Sequence, residues 1–504
     1  MDAFTENFDL VLSGFGETLK LLVVSGLIAL VVGTLVAVAR VSPVPVLRGV
    51  GIGYVTIFRN TPLLVLILLT YYGLPELGID FGFFVMVTMA MGLYTAAFVT
   101  EAIRSGINGI GLGQAEAARS LGMPFSLTMT QVVLPQAFRL TVPPAGQRDD
   151  RADEEHVARG RLRHRRGDLP DEGPEQRLRQ RAGRHLRRDR AGLHPHRRAD
   201  LLRREPLREG LEGRMSNASV LFDVPGPRAA RRHRIAGVVT VVGILAVLAL
   251  VVWKLWSEDQ LTAQQWEPFV TPRLVELLLQ GLLDTLRAAG LAIVGAVVLG
   301  VLLGIGKLSD RAVVRWPSWL VVEFFRAVPL LLLIIFVWGL AGNPNGVIFP
   351  LVVGLVLYNG SVLAEVFRAG INAVPRGQAE AGYALGLTKS TVTRIVLLPQ
   401  AVKIMFPSII SQCIVVLKDT SLGYAILAPG LTVAGRDIFR TFDNRLATAI
   451  VLAAIYIVLN LLLTWLGGVV QRRYVGGKRT ELVGGIVQGQ PDGGGSGTGA
   501  TAGA

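Results

Sequence analysis

Cysteine occurs once, as Cys413 inside an apolar segment, so the chain has neither a disulfide framework nor a thiolate metal cluster. Charge is sparse. Only 17% of residues are Asp, Glu, Lys or Arg, and acids are the scarcer sign, 37 against 51 bases. A phosphate-binding loop is missing: the nearest approach, Gly300 to Lys307, has the wrong glycine spacing and puts Leu308 where Ser or Thr must meet magnesium. Outside 148–214 no Ser-His-Asp or zinc-ligand spacing occurs. An enzyme reading therefore has no residues to stand on. What is present is apolar. Hydrophobic residues make up 51% of the chain, mean hydropathy is +0.49, and apolar runs of about twenty residues recur, the length that spans a bilayer. The start, MDAFTENFDL, carries acids where a secretory leader carries bases, so no cleavage is expected there. These features predict an all-α, polytopic membrane protein.

The strongest internal signal is a repeat. Gly113 to Gln136 reads GQAEAARSLGMPFSLTMTQVVLPQ, and Gly377 to Gln400 reads GQAEAGYALGLTKSTVTRIVLLPQ, 264 residues later without a slip in register. In each copy a short polar helix precedes a glycine placed to end it, Gly122 or Gly386, and the chain then turns apolar again. Each copy thus predicts a surface helix between two spans. The order Glu-Ala-Ala, then Gly, then Leu-Pro resembles the loop by which permease subunits of ATP-binding-cassette (ABC) importers dock on their ATPases. The Leu-Pro-Gln-Ala wording is similar to the polar-amino-acid branch, most nearly its actinobacterial glutamate permeases. Over roughly 1–147 and 270–473, the resemblance implies a duplicated type I ABC importer transmembrane domain with a truncated first copy. It makes Gly113, Glu116, Ala117, Ala118 and Gly122 the ATPase-docking positions of copy one, and Gly377, Glu380, Ala381, Gly382 and Gly386 those of copy two. Gly382 departs from Ala118, and a glycine there weakens a helix interior by about 1 kcal/mol.

Arg and Lys placement orients the spans. Leu21 to Ala39 ends at Arg40, and the acid-free loop with Arg48 reads as cytoplasmic. Tyr54 to Gly73 goes out towards Glu76 and Asp80, and Phe83 to Ile103 returns to Arg104, leaving the first docking loop inside. Copy two repeats this as Thr285 to Gly306, Leu320 to Leu340 and Val347 to Phe367, then continues through Val392 to Leu417 and Leu446 to Val470. An extra span, Ile235 to Trp253, follows a basic cluster within 215–269, so copy two, 270–475, is complete at six spans counting that extra one. The 476–504 tail is expected to be disordered.

Copy one stops short. Its fourth span, from Met129, runs into residues 148–214, which hold twenty arginines and fourteen acids but no Lys, Ile, Phe, Tyr, Trp, Met, Ser, Thr, Asn or Cys. Such a segment can neither fold nor enter a bilayer. Arg without Lys, and no aromatic for base stacking, argue against a nucleic-acid binder and for GC-rich DNA translated out of frame. Met215 then reads as the start of a second gene. A real disordered linker is the alternative, and His194-Pro195-His196 lacks the fixed second shell of a metal site.

Charges at membrane depth are costly and default to function. Arg59 and Arg326 open equivalent spans, while Lys418, Asp419, Thr420 and Ser421 offer both charge signs and two hydroxyls to a zwitterionic amino acid. These six form the expected substrate path, with an interfacial snorkelling pair at Lys418 and Asp419 as the bland alternative. Glu101 with Arg104, and Glu365 with Arg368, are read as neutralising pairs along one helix face. The resulting expectation is a permease in the bacterial cell membrane that takes up a polar amino acid, glutamate or a relative. Its implied partners are the lipid bilayer, a second permease subunit, an extracellular or periplasmic amino-acid-binding protein and an ABC ATPase dimer. ATP and magnesium sit on that ATPase, with no cofactor in this chain and no nucleic acid. A secondary transporter with duplicated halves, or a membrane-anchored basic nucleic-acid binder, are the competing readings.

Overall fold

Residues 8–141, 226–342 and 346–475 are described by a computed structural model, and among them there are helices and turns but no strands. The segment 148–214, the tail 476–504 and the expectations placed on them lie outside the described residues. Among the described residues seven helices are long and apolar enough to cross a membrane, α8 (Pro227–Ser257) among them, or up to nine if each of two bent pairs counts as one span. The chain divides into two compact units, one of Met1–Arg40, Gly49–Glu101 and Val239–Ala504, the other of Val41–Arg48 and Ala102–Val238.

In the first unit, α1 (Phe8–Arg40) buries Ser25, Ala29, Gly33 and Ala37, a small residue at every fourth position. That stripe lets the first part of α4 (Gly82–Asn108) approach: a Cβ on Gly33 would fall 2.7 Å from Val99 Cγ1. In copy two, α9 (Pro272–Lys307) presents Ala292, Ala296, Gly300 and Gly304 at the matching places, and α12 (Phe349–Asn372) lies against it. A Cβ on Gly300 would meet Leu363 Cβ at 2.7 Å. Close packing, rather than phosphate binding, accounts for these glycines.

The second span of each copy departs from the straight helix that its apolar run predicts. α2 (Pro45–Asn60) and α3 (Leu63–Leu68) meet at 103°, as do α10 (Ala312–Ala327) and α11 (Leu330–Leu340). Pro62 and Pro329 cause both bends, because a proline holds the residue before it out of the helical region; Val328 accordingly sits at φ −80, ψ 128.

Copy one's bent pair is packed into copy two. Val65 of α3 is fully buried in one cluster with Leu278 of α9, Leu431 and Ile438 of α15 (Leu431–Phe442) and Leu452 and Tyr456 of α16 (Arg445–Val470). Asn460 donates to the Asn60 carbonyl at 2.6 Å, satisfying a backbone group that the bend releases.

In the second unit, α5 (Leu112–Ser120) is followed by the one-turn α6 (Phe125–Leu127), a π-helical turn over Thr128–Val133, and α7 (Leu134–Thr141). Thr141 donates to the Ala102 carbonyl at 3.3 Å, fastening α7 to the end of α4. Copy two reproduces the succession with α13 (Arg376–Ala384), a π-helical turn over Val392–Leu397 and α14 (Leu398–Asp419).

Candidate functional site

α5 and α13 begin and end at positions 264 residues apart, and their ends are closed by the same bonds. Gly122 at φ +75 and Gly386 at φ +78 adopt the left-handed conformation that glycine tolerates. Gly122 donates to Arg119 O at 2.8 Å and Met123 to Ala118 O at 3.1 Å; Gly386 donates to Tyr383 O at 2.9 Å and Leu387 to Gly382 O at 3.2 Å. The last carbonyls of both helices are thereby satisfied without outside help.

Burial sorts the docking candidates into two faces. Gly113, Glu116, Ala117, Gly377, Glu380 and Ala381 are exposed, whereas Ala118 and Gly382 are buried. A partner protein would meet the first set. Gly382 has a reason beyond helix propensity: a Cβ there would lie 2.8 Å from Val392 Cγ2, so the following π-helical turn leaves no room for a methyl. Copy one carries Thr128 opposite in register and keeps Ala118.

The membrane-depth residues form a second constellation. Lys418 is 7% exposed and donates to the Arg59 carbonyl at 3.1 Å. Its ammonium lies 5.9 Å from the Tyr94 ring centre and 5.8 Å from that of Phe98, over which Arg59 also stands at 5.2 Å. Lys418 is thus surrounded by protein groups rather than exposed. Asp419 lies near Asn359, whose Nδ2 donates to Leu355 O at 3.0 Å and whose Oδ1 accepts from Gln412 at 2.6 Å. Thr420 and Ser421 are buried beside it; Thr420 donates to Leu417 O at 2.6 Å, and the Ser421 carbonyl accepts from Thr432 at 3.4 Å. Arg326 pairs with Glu323 on its own helix at 3.6 Å. Arg59, Lys418 and Asp419 are thus brought together, joined by Asn359, Gln412, Tyr94 and Phe98, which sequence reasoning passed over. Lone amides in apolar runs were the available signal for the first two.

The acids before α5 and α13 have partners on other helices. Glu101 of α4 forms a buried ion pair with Arg40 at the end of α1. Glu365 of α12 binds both Lys307, at the end of α9, and Arg368, the latter at 2.8 Å. For Glu365 the expected pair along one helix is therefore half of its bonding.

Two stretches, 29–148 and 296–476, match the family described as binding-protein-dependent transport system inner membrane component. The chain belongs to this family. As an amino-acid ABC transporter permease it is a multi-pass membrane protein and a transport component, with an ATPase and a further permease as the kinds of partner the family uses. The permease is 38% identical over 243 residues to the glutamate transport system permease protein GluD of Corynebacterium glutamicum, covering 47% of this chain and 89% of that relative. It is also 38% identical over 148 residues to GluC of the same organism, covering 27% of this chain and 65% of GluC. Among solved structures, an amino acid ABC transporter with histidines aligns at a TM-score of 0.38 and 29% identity, over 40% of this permease and 95% of that chain.

Proposed function

We propose that the chain is the permease part of an ATP-driven importer of an acidic amino acid, coupled to a separate ATPase through α5 and α13. The observation that carries this reading is the twofold recurrence of one exposed, self-capped helix, with Glu116 and Glu380 projecting from matching positions. A surface helix whose last carbonyls are closed by its own chain is suited to transmit a push from another chain. ATPase closure would move both loops and, through the ion pairs just before them, the ends of the spans.

The Lys418 constellation supports the substrate class. Arg59 and Lys418 supply two positive charges and Asp419 one negative, the complement of an amino acid with two carboxylates and one ammonium. The names of GluD and GluC agree with that charge balance.

The test is Glu380→Lys, expressed with a full-length first subunit, ATPase and binding protein. ATP-dependent glutamate uptake should fall towards background while the amount of inserted permease is unchanged. Unaltered uptake would remove the docking role.

A further inference from the structure

At the end of copy two that carries its cytoplasmic bases, an open cleft of about 460 Å³ lies between the ends of α9 and α12 and the start of α10. Lys307, Arg315 and Arg368 supply three positive charges, and Glu323 and Glu365 two negative ones. Lys307 is almost wholly buried and bound to Glu365, with Glu323 at 3.5 Å, so the acids are taken up by it, by Arg368 and by Arg326, which reaches Glu323 at 3.6 Å. Among the described residues Arg315 has only carbonyl partners, Ser309 O at 3.2 Å and Asp310 O at 3.4 Å. One positive charge is left over, held at the cleft.

The remaining walls are Trp316 and Trp319, packed edge to face with ring centres 5.7 Å apart and 63% and 44% exposed. They head an apolar stripe on the outer face of α10 that runs through Leu320 and Phe324, both more than half exposed. Copy one lacks this construction. Its Arg48 donates to Ser42 O just as Arg315 donates to Ser309 O, yet Gly49, Ile52 and Thr56 occupy the places of Trp316, Trp319 and Glu323.

We propose that this cleft holds the phosphate of an anionic phospholipid from the inner leaflet, with Arg315 as its charge partner and the acyl chains along Trp316, Leu320 and Phe324. A phosphodiester carries the single negative charge that the cleft lacks. Tryptophans at headgroup depth and a basic pocket between spans are the chemistry by which such lipids are recognised. An apolar stripe leading directly from the pocket into the hydrocarbon layer favours a lipid over a soluble phosphate ester. The inference rests on the membrane placement of the chain and is independent of the docking reading.

The test is native mass spectrometry of the purified full chain titrated with phosphatidylglycerol or phosphatidylcholine. The parent chain should retain the anionic lipid in preference by about fivefold, the effect of one cation near an anionic headgroup. Arg315→Gln should abolish the preference, and the double change Trp316→Gly with Trp319→Ile, which installs the copy-one residues and spares every ion pair, should reduce it. Arg311→Gln, an exposed base four residues earlier, should leave it unchanged. Equal retention of the two lipids by the parent chain, or an undiminished preference in both the Arg315 and the Trp variants, overturns the proposal. Loss of preference with Arg311→Gln equal to that with Arg315→Gln would mark a diffuse surface charge and overturn it too. Displacement by glycerol 3-phosphate at concentrations matching the lipid would assign the cleft to a soluble ester instead.

Discussion

Copy one ties α1 to α4 with Arg40 and Glu101, whose side chains are 8% and 7% exposed; copy two ties α9 to α12 with Lys307 and Glu365, at 7% and 20%. The helices and the register are the same, yet the first pair is sealed and the second belongs to a network with Glu323 and Arg368 that opens on a cleft. The difference teaches that one scaffold position, the cytoplasmic end of a span beside a docking loop, tolerates either a closed lock or an open, shared one. The guanidinium pair is closed off from solvent. An ammonium leaves neighbours room to join.

Completing copy one should have the largest effect on this comparison. Correcting the reading frame near codon 147 is expected to replace 148–214 with an apolar segment and a Lys-Asp-Thr-Ser-like run. Reconstituted with ATPase and binding protein, the corrected pair should accumulate substrate and the chain as written should not. Polar tracts in both alternative frames, or equal transport by the uncorrected chain, would end that account.

Next in size is the ion-pair contrast. Arg40→Met removes one partner of Glu101, which is 7% exposed, and should cost up to about 3–5 kcal/mol, the penalty for removing one partner of a buried pair. Lys307→Met should cost less, because Glu365 keeps Arg368 at 2.8 Å. Thermal midpoints of the two detergent-solubilised variants decide the matter, and an equal drop would mean that the two locks do not differ.

The smallest effects lie in the docking helices. Gly382→Ala gains helix propensity but drives a methyl against Val392, so a net loss of about 1–3 kcal/mol is expected. Combining it with Val392→Ala should recover part of that loss. Ala118→Gly in copy one should cost only about 0.5–1 kcal/mol, the backbone entropy of glycine. A Gly382→Ala variant more stable than its parent would return the explanation to propensity alone.

The short helices α5 and α13 were legible in sequence because their signals are local: a polar run, an ending glycine and an exact echo 264 residues on. Glu365 shows where local reading stops. Arg368 is visible three residues away, whereas Lys307 is 58 residues distant and comes close only through helix packing. The 103° bends had a printed cause in Pro62 and Pro329, but hydropathy averages over a window and passes straight through one proline. Arg59 and Lys418 were singled out separately as costly charges; that a carbonyl of one accepts from the other, 359 residues away, required the fold.

The seating of Val65 among α9, α15 and α16 also sets a timetable for synthesis. At about 5–20 residues per second, a ribosome reaches Leu452 some 20–80 s after it has passed Val65. Until α9 brings Leu278 the α3 surface has none of these neighbours, and until α16 is made it lacks the rest, so the bilayer must shelter a half-finished joint. On one chain the late helices arrive tethered to the waiting one, and supply is fixed at one to one. Made as two chains, the same joint must be found by lateral diffusion, and any imbalance in output leaves orphaned halves for proteases to clear.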